Sequence, residues 1–215
     1  MERKLVRKEI QSPTNPKKTF FDVFYYLPNL LDFFRLYLVL TGFFLDNYFN
    51  LRVINAVFYV FSHFLDLYDG ALAWYMNQCS KFGIVLDYTV DILTEVIWYI
   101  QLAPLVGVGF KTLMVYAITI DMFGLVFCVY NSASGSYWKG SSCRPKWQEP
   151  FINEKGYTRL GYSIVIWYQV FWATLYLSYF YSIHWTILTL LGIPMIFELS
   201  SLTMILYEQI MLFRE

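Results

Sequence analysis

Six long apolar blocks separated by short polar intervals dominate the hydrophobic and polar pattern of the chain. Each block is close to the roughly 20 residues that an α-helix needs to cross a bilayer. None shows the ten-residue alternation of a membrane β-strand. The pattern therefore predicts an all-α, polytopic membrane protein with six transmembrane helices. The blocks occupy residues 27–45, 51–73, 84–106, 110–130, 160–180 and 183–207.

The amino-acid composition also indicates a membrane environment. Hydrophobic residues make up 58% of the chain and charged residues 15%, whereas soluble domains carry roughly a quarter charged residues. Aromatic residues reach 21%, which is natural where amphipathic rings sit at headgroup depth. The net charge is zero, and no basic-aromatic module is present, so nothing indicates a nucleic-acid partner.

Lysine and arginine residues concentrate in alternate polar intervals, and this asymmetry predicts the orientation. Positive residues are retained on the cytoplasmic side. With both termini cytosolic, only Arg52 and Lys111 among the loop cations fall outside. The N-terminal stretch stays basic and polar through "QSPTNPKK", unlike a signal peptide. We therefore expect a cytosolic basic leader at 1–26, a six-helix domain at 27–207 and a cytosolic tail at 208–215.

Two pairs of aspartates interrupt the apolar pattern in the segment "DLYDGALAWYMNQCSKFGIVLDYTVD". Asp66 and Asp69 have i,i+3 spacing, and Asp87 and Asp91 have i,i+4 spacing, so each pair shares one helical face. Carboxylates near a bilayer core persist only where a cavity, a cation or a metal compensates them. A hard divalent cation such as Mg²⁺ or Mn²⁺ prefers carboxylate oxygens. The alternative is that residues 74–91 form a solvated loop.

These residues resemble the signature of the CDP-alcohol phosphatidyltransferases, D-x-x-D-G-x-x-A-R followed by G-x-x-x-D-x-x-x-D. The run "NQCSKFGIVLD" is most similar to that of eukaryotic phosphatidylinositol synthases within the family, and "LPNLLDFFR" resembles its first helix. Trp74 replaces the signature arginine. The matching positions are Asp66, Asp69, Gly70, Ala73, Gly83, Asp87 and Asp91.

The resemblance implies metal-dependent transfer of a phosphatidyl group from CDP-diacylglycerol to an alcohol, with myo-inositol the expected acceptor and CMP the product. Two metal ions, Mg²⁺ or Mn²⁺, would neutralise the diphosphate. It further implies an endoplasmic reticulum membrane, contact with membrane lipids and a homodimer as common family properties. The implied metal ligands are Asp66, Asp69, Asp87 and Asp91, with Asp91 also the general base, and the implied CDP-binding residues are Asp66, Asp69, Gly70, Ala73 and Gly83.

Two family arginines are missing, because Trp74 and Ile92 stand at their positions. A lost bidentate phosphate contact removes about 1.5–3 kcal/mol. Arg35 or Lys81 would supply a replacement charge, and Arg159 resembles an acceptor-binding position. The departures leave open a catalytically silent relative that binds CDP-lipid, or an accessory subunit or transporter of a membrane complex.

Arg35 interrupts the first apolar block, and an intramembrane arginine usually pairs with an acid or a phosphate. It either belongs to the site or pairs with Asp32 one turn earlier. Other polar residues receive no role here: the acids Glu95, Asp121 and Glu198, and the isolated histidines His63 and His184. The three cysteines lack the spacing of a disulfide framework or a zinc site.

Overall fold

Seven α-helices and one pair of two-residue strands make up the described part of the chain. The computed structural model describes residues 19–134, 152–153, 156–157 and 159–212. Strands β1 (Ile152–Asn153) and β2 (Gly156–Tyr157) pair antiparallel in the interval between the fifth and sixth helices. The helices are α1 (Phe20–Phe24), α2 (Leu27–Phe49), α3 (Arg52–Tyr75), α4 (Lys81–Leu102), α5 (Val108–Ser134), α6 (Arg159–Ser178) and α7 (Trp185–Leu212).

Each of the six apolar blocks coincides with a helix, so the all-α prediction is confirmed. The six membrane spans are not. Among the described residues, two helices are long and apolar enough to cross a membrane, Leu27–Phe49 and Val108–Ala133. Helices α3 and α4 carry the aspartates of the motif, which lower their hydropathy, and the apolar stretch among the described side chains of α6 is Ser163–Ser178. The number of spans therefore stays a prediction.

Helix α2 and helix α3 form a tight antiparallel hairpin. Pro28 lies in the first turn of α2, where its missing N–H and fixed φ are tolerated. The helix ends at Asn50, whose φ of 55° lies in the left-handed region that asparagine adopts more readily than most residues. Because only Asn50 and Leu51 separate the two helices, α3 starts directly beside the end of α2.

Helices α2, α3 and α4 form the half of the bundle that contains the aspartates. Helix α2 packs against α3 and α4, α4 packs against α5, and α6 packs against α3 and α7. An aromatic core lies between α3, α4 and α6, where the rings of Tyr59 and Trp98 stack with centroids 4.1 Å apart. Both rings are fully buried, as is Trp172 on α6. This core fixes α4 relative to α3 beneath the aspartates.

A second polar cluster, formed by Asp46, Asn55, Gln101 and Tyr176, ties α2, α3, α4 and α6 together. Asp46 Oδ2 accepts hydrogen bonds from Asn55 Nδ2 at 3.1 Å and from Gln101 Nε2 at 3.2 Å. The Tyr176 hydroxyl donates to the same oxygen. Asp46 lies 14 residues after Asp32 on α2, about 21 Å along the helix axis. The cluster therefore connects four helices at the end of the bundle opposite the motif aspartates.

Candidate metal and nucleotide site

The turn between α3 and α4 brings the two aspartate pairs to neighbouring helix ends. Helix α3 ends at Tyr75, and Asn77 takes a left-handed φ of 53°. Helix α4 then starts after Ser80, whose hydroxyl accepts from Gly83 N–H at 2.9 Å and so satisfies an unpaired donor of its first turn. The Gln78 side chain accepts from Leu27 N–H at 2.9 Å, which attaches this turn to the start of α2.

The guanidinium of Arg35 lies at the centre of the aspartates. Its Nη1 atom is 2.7 Å from a carboxylate oxygen of Asp66, 3.0 Å from one of Asp69 and 3.0 Å from one of Asp87. Nη2 pairs with Asp91, and Nη1 is also 3.1 Å from Asp32. The Arg35 side chain is fully buried. The sequence offered the motif and Asp32 as alternative partners, and the structure places Arg35 against both.

The carboxylate oxygens around Arg35 are close enough to share cations. In one group, Asp32, Asp69 and Asp87 each offer an oxygen within 4.8 Å of the others. In a second group, Asp66, Asp87 and Asp91 do the same. Asp87 belongs to both groups, and Asp32 joins two motif aspartates in the first. These carboxylates would be the ones to hold divalent cations at the site.

The donor set fits hard divalent cations. Every candidate ligand is a carboxylate oxygen, the type that Mg²⁺ and Mn²⁺ prefer. The position of Arg35 Nη1 provides an independent observation, since a positively charged atom already lies within 3.1 Å of oxygens from four aspartates. When all five carboxylates are ionised, they and the guanidinium together carry a formal charge of −4. Two divalent cations would neutralise that charge.

The two motif glycines differ sharply in their surroundings, although the family resemblance implies the same role for both. A methyl group at Gly70 would meet nothing within 4 Å, so this face of α3 is open to a ligand. At Gly83 it would lie 2.7 Å from Asn29 Oδ1 and 3.1 Å from Ser80 Oγ. Gly83 therefore allows α4 to approach α2, and its position is a packing contact. Ala73, one turn after Gly70, is partly buried on α3.

The predicted replacement cations other than Arg35 lie away from the carboxylates or outside the described side chains. Lys81 Nζ donates to the carbonyl oxygen of Ala133 at 3.2 Å, near the end of α5. Arg159 is the first residue of α6, and its side chain lies outside the described residues. Trp74 is 79% exposed at the end of α3, and Ile92 is buried.

Three residues that the sequence did not assign to the site support it. Ser62 accepts from Arg35 Nε through its carbonyl at 3.2 Å and donates its hydroxyl to the Arg35 carbonyl at 3.3 Å. Asn29 Nδ2 donates to the Val23 carbonyl at 2.6 Å, which holds α1 beside α2. Asp32 is buried next to Arg35. Its i,i+3 spacing to Arg35 was the sequence signal for Asp32, and the resemblance of "LPNLLDFFR" to the family's first helix included Asn29, whereas Ser62 had no sequence signal.

Comparison with known proteins places this chain in a family. The model of the CDP-alcohol phosphatidyltransferase family matches residues 25–196, a range that contains all the aspartates of the site. The chain therefore belongs to the CDP-alcohol phosphatidyltransferase family. No solved structure matches it significantly.

Three curated relatives align with part of the chain, and each is named CDP-diacylglycerol--inositol 3-phosphatidyltransferase. The protein from Candida albicans is 35% identical over 40% of this chain, and that from Schizosaccharomyces pombe is 35% identical over 33%. The protein from Drosophila melanogaster is 39% identical over 33%. The alignments cover only 36%, 29% and 30% of the respective relatives. The chain is thus similar to these relatives over about a third of their length.

Proposed function

We propose that this protein transfers the phosphatidyl group of CDP-diacylglycerol to an alcohol, with myo-inositol as the acceptor and CMP as the second product. The observation that carries the proposal is the convergence of four motif carboxylates on the Arg35 guanidinium, where α3 ends and α4 begins. The four are Asp66, Asp69, Asp87 and Asp91. Family membership supports the reaction class. The names of the three curated relatives support inositol.

In the proposed reaction, an acceptor hydroxyl attacks the phosphorus that carries the diacylglycerol. Asp91 accepts the hydroxyl proton in this proposal, because the family resemblance implies the general base at the last aspartate of the motif. A new oxygen–phosphorus bond forms, and the bond from that phosphorus to the bridging oxygen breaks, so CMP leaves with the electron pair. Bound Mg²⁺ or Mn²⁺ would supply charge neutralisation for the diphosphate and the leaving CMP. We propose two such ions.

The proposed metal ligands come from helices α3 and α4. Asp66 and Asp69 on α3, with Asp87 and Asp91 on α4, hold the metal ions. The open backbone at Gly70 and the small side chain of Ala73 leave room for the cytidine diphosphate. Arg35, which contacts the motif aspartates, is the proposed replacement for part of the charge lost with the family arginines at 74 and 92. Lys81 and Arg159 remain proposed contacts to substrate phosphate or acceptor.

A lipid-linked donor requires the site to lie at a membrane surface. We propose that the predicted domain at 27–207 is embedded through six spans in the endoplasmic reticulum membrane, with the leader, the tail and the site on the cytosolic side. In this arrangement the acyl chains of CDP-diacylglycerol stay in the lipid while the nucleotide and a polar acceptor enter from the cytosol. Membrane lipids surround the domain, and a homodimer is the proposed assembly.

The experiment is a parallel acceptor screen on purified protein with CDP-diacylglycerol and Mn²⁺. Inositol, serine, glycerol phosphate and choline are offered separately, and CMP release is measured. We expect release that depends on inositol and is lost in Asp91→Asn, because the base is removed while the shape of the side chain is kept. Release with another acceptor would replace inositol in the proposal. Release with none of the four would contradict the transferase function.

A second candidate is a silent relative that binds CDP-lipid without turnover, alone or as an accessory subunit. The observation that favours it is the loss of both family arginines, with Trp74 exposed and Ile92 buried in their places. An indole cannot replace a bidentate phosphate contact. Saturable binding of CDP-diacylglycerol with no CMP release from any acceptor would identify this form.

A further inference from the structure

The Nη1 atom of Arg35 has more acidic neighbours than it has hydrogens to donate. It carries two hydrogens, yet four carboxylate oxygens lie within 3.1 Å of it. The Nε–H of Arg35 is already used by the Ser62 carbonyl. The guanidinium therefore cannot bond all of these aspartates at once, and in this structure it stands where cations that bind the motif aspartates would compete with it.

Asp32 differs from the other four aspartates in its position. It lies on α2, the helix of Arg35 itself, one turn before it and on the same face, whereas the four motif aspartates lie on α3 and α4. Its side chain is only 3% exposed. A buried carboxylate of this kind persists only with a charged or hydrogen-bonded partner, and Arg35 is the charged partner on its own helix.

We propose that Asp32 is a positioning residue: it is the counter-ion that holds the Arg35 guanidinium on α2 and thereby lowers its competition with metal ions at Asp66, Asp69, Asp87 and Asp91. With Asp32 and Arg35 paired, four carboxylates remain, and their charge equals that of two divalent cations. The Ser62 carbonyl, at 3.2 Å from Nε, keeps the guanidinium anchored on its other side. The inference rests on the proposed function only in assuming a metal at the motif.

Metal binding to a single variant and to a double variant tests this role. Mn²⁺ is titrated into the full-length purified protein, without CDP-lipid, and free Mn²⁺ is followed by electron paramagnetic resonance. In Asp32→Asn the unpaired guanidinium competes for the motif aspartates, so we expect the Mn²⁺ dissociation constant to rise about ten- to a hundredfold. In Asp32→Asn combined with Arg35→Gln the competitor is gone, and the constant is expected to return to within about threefold of the unchanged protein.

Two control variants follow. One keeps a carboxylate at position 32, and the other removes a different buried carboxylate from the same helix. Asp32→Glu keeps a carboxylate within reach of the guanidinium, and we expect nearly unchanged Mn²⁺ affinity. Asp46→Asn removes a buried carboxylate from the same helix about 21 Å away, and we expect no change in affinity. At saturating Mn²⁺ the turnover of Asp32→Asn should recover, since the defect lies in metal affinity and not in the chemical step.

Several outcomes would overturn the inference. Unchanged affinity in Asp32→Asn would show that Asp32 does not restrain Arg35. A loss that persists when Arg35→Gln is added, or an equal loss in Asp32→Glu, would show that Asp32 is itself a metal ligand. The predicted pattern without any CMP release would leave the inference standing and refute the transferase function. CMP release with no dependence of metal affinity on Asp32 would support the transferase function and refute the inference.

Discussion

The two motif glycines should respond in opposite ways to the same substitution. In Gly83→Ala the new methyl carbon would lie 2.7 Å from Asn29 Oδ1 and 3.1 Å from Ser80 Oγ. Asn29 is 2% exposed and donates to the Val23 carbonyl, so it cannot move without losing that bond. In Gly70→Ala the methyl group meets no atom within 4 Å. One substitution therefore tests packing and the other tests the ligand space.

The magnitudes follow from these contacts. Overpacking at Gly83 costs about 1–3 kcal/mol, and loss of the Asn29 hydrogen bond adds about 0.5–1.5 kcal/mol. Alanine returns up to about 1 kcal/mol of helix propensity. The net loss of about 0.5–4.5 kcal/mol lowers the apparent melting temperature by about 2–4 °C for each kcal/mol in a chain of this size. Gly70→Ala should keep or slightly raise the melting temperature.

The assay combines thermal unfolding with steady-state kinetics on the same preparations. For Gly70→Ala we expect an unchanged or higher melting temperature together with a KM for CDP-diacylglycerol raised about tenfold or more, because the methyl group takes space next to the diphosphate. For Gly83→Ala we expect the lower melting temperature described above. If Gly70→Ala lowers stability while leaving KM unchanged, or if Gly83→Ala is as stable as the original protein, the two assignments are wrong.

Three other perturbations have defined outcomes. Asp46→Ala leaves the donors of Asn55, Gln101 and Tyr176 unpaired, so we expect a loss of about 2–5 kcal/mol, seen as a lower melting temperature, with Tyr176→Phe as the milder control; equal stability would contradict the cluster's role. Trp74→Arg, at a side chain that is 79% exposed, should lower the KM for CDP-diacylglycerol about tenfold without changing stability, and a destabilised variant would refute that reading. Chelation by EDTA should abolish CMP release and added Mn²⁺ should restore it, whereas activity that survives chelation would exclude metal dependence.

The sequence predicted the aspartate site because its information is local. Helical spacing places Asp66 with Asp69 and Asp87 with Asp91, and a short interval between two apolar blocks brings both pairs to adjacent helix ends. Arg35 could be singled out because a cation inside an apolar block needs a partner. These inferences need only the period of the helix and the cost of burying charge, and no knowledge of how the helices pack.

Other features depend on the packing register between helices, and sequence periodicity does not contain it. The joint contact of Asp32 and the motif aspartates with Arg35 requires the rotation of α2 against both α3 and α4. The difference between Gly70 and Gly83 depends on where Asn29 lies across the interface. Likewise, Asp46 meets Tyr176 only because α6 packs on α3, although 130 residues separate the two in the chain. Local patterns cannot distinguish these positions.

The proposed reaction depends on metal ions that bind between α3 and α4. Anomalous diffraction from crystals grown with Mn²⁺ tests this binding directly. We expect anomalous peaks within coordination distance of carboxylate oxygens from both helices, with Asp87 contacting two ions and Arg35 withdrawn toward Asp32. Crystals that contain Mn²⁺ elsewhere, while the four motif aspartates still surround the Arg35 guanidinium, would contradict it.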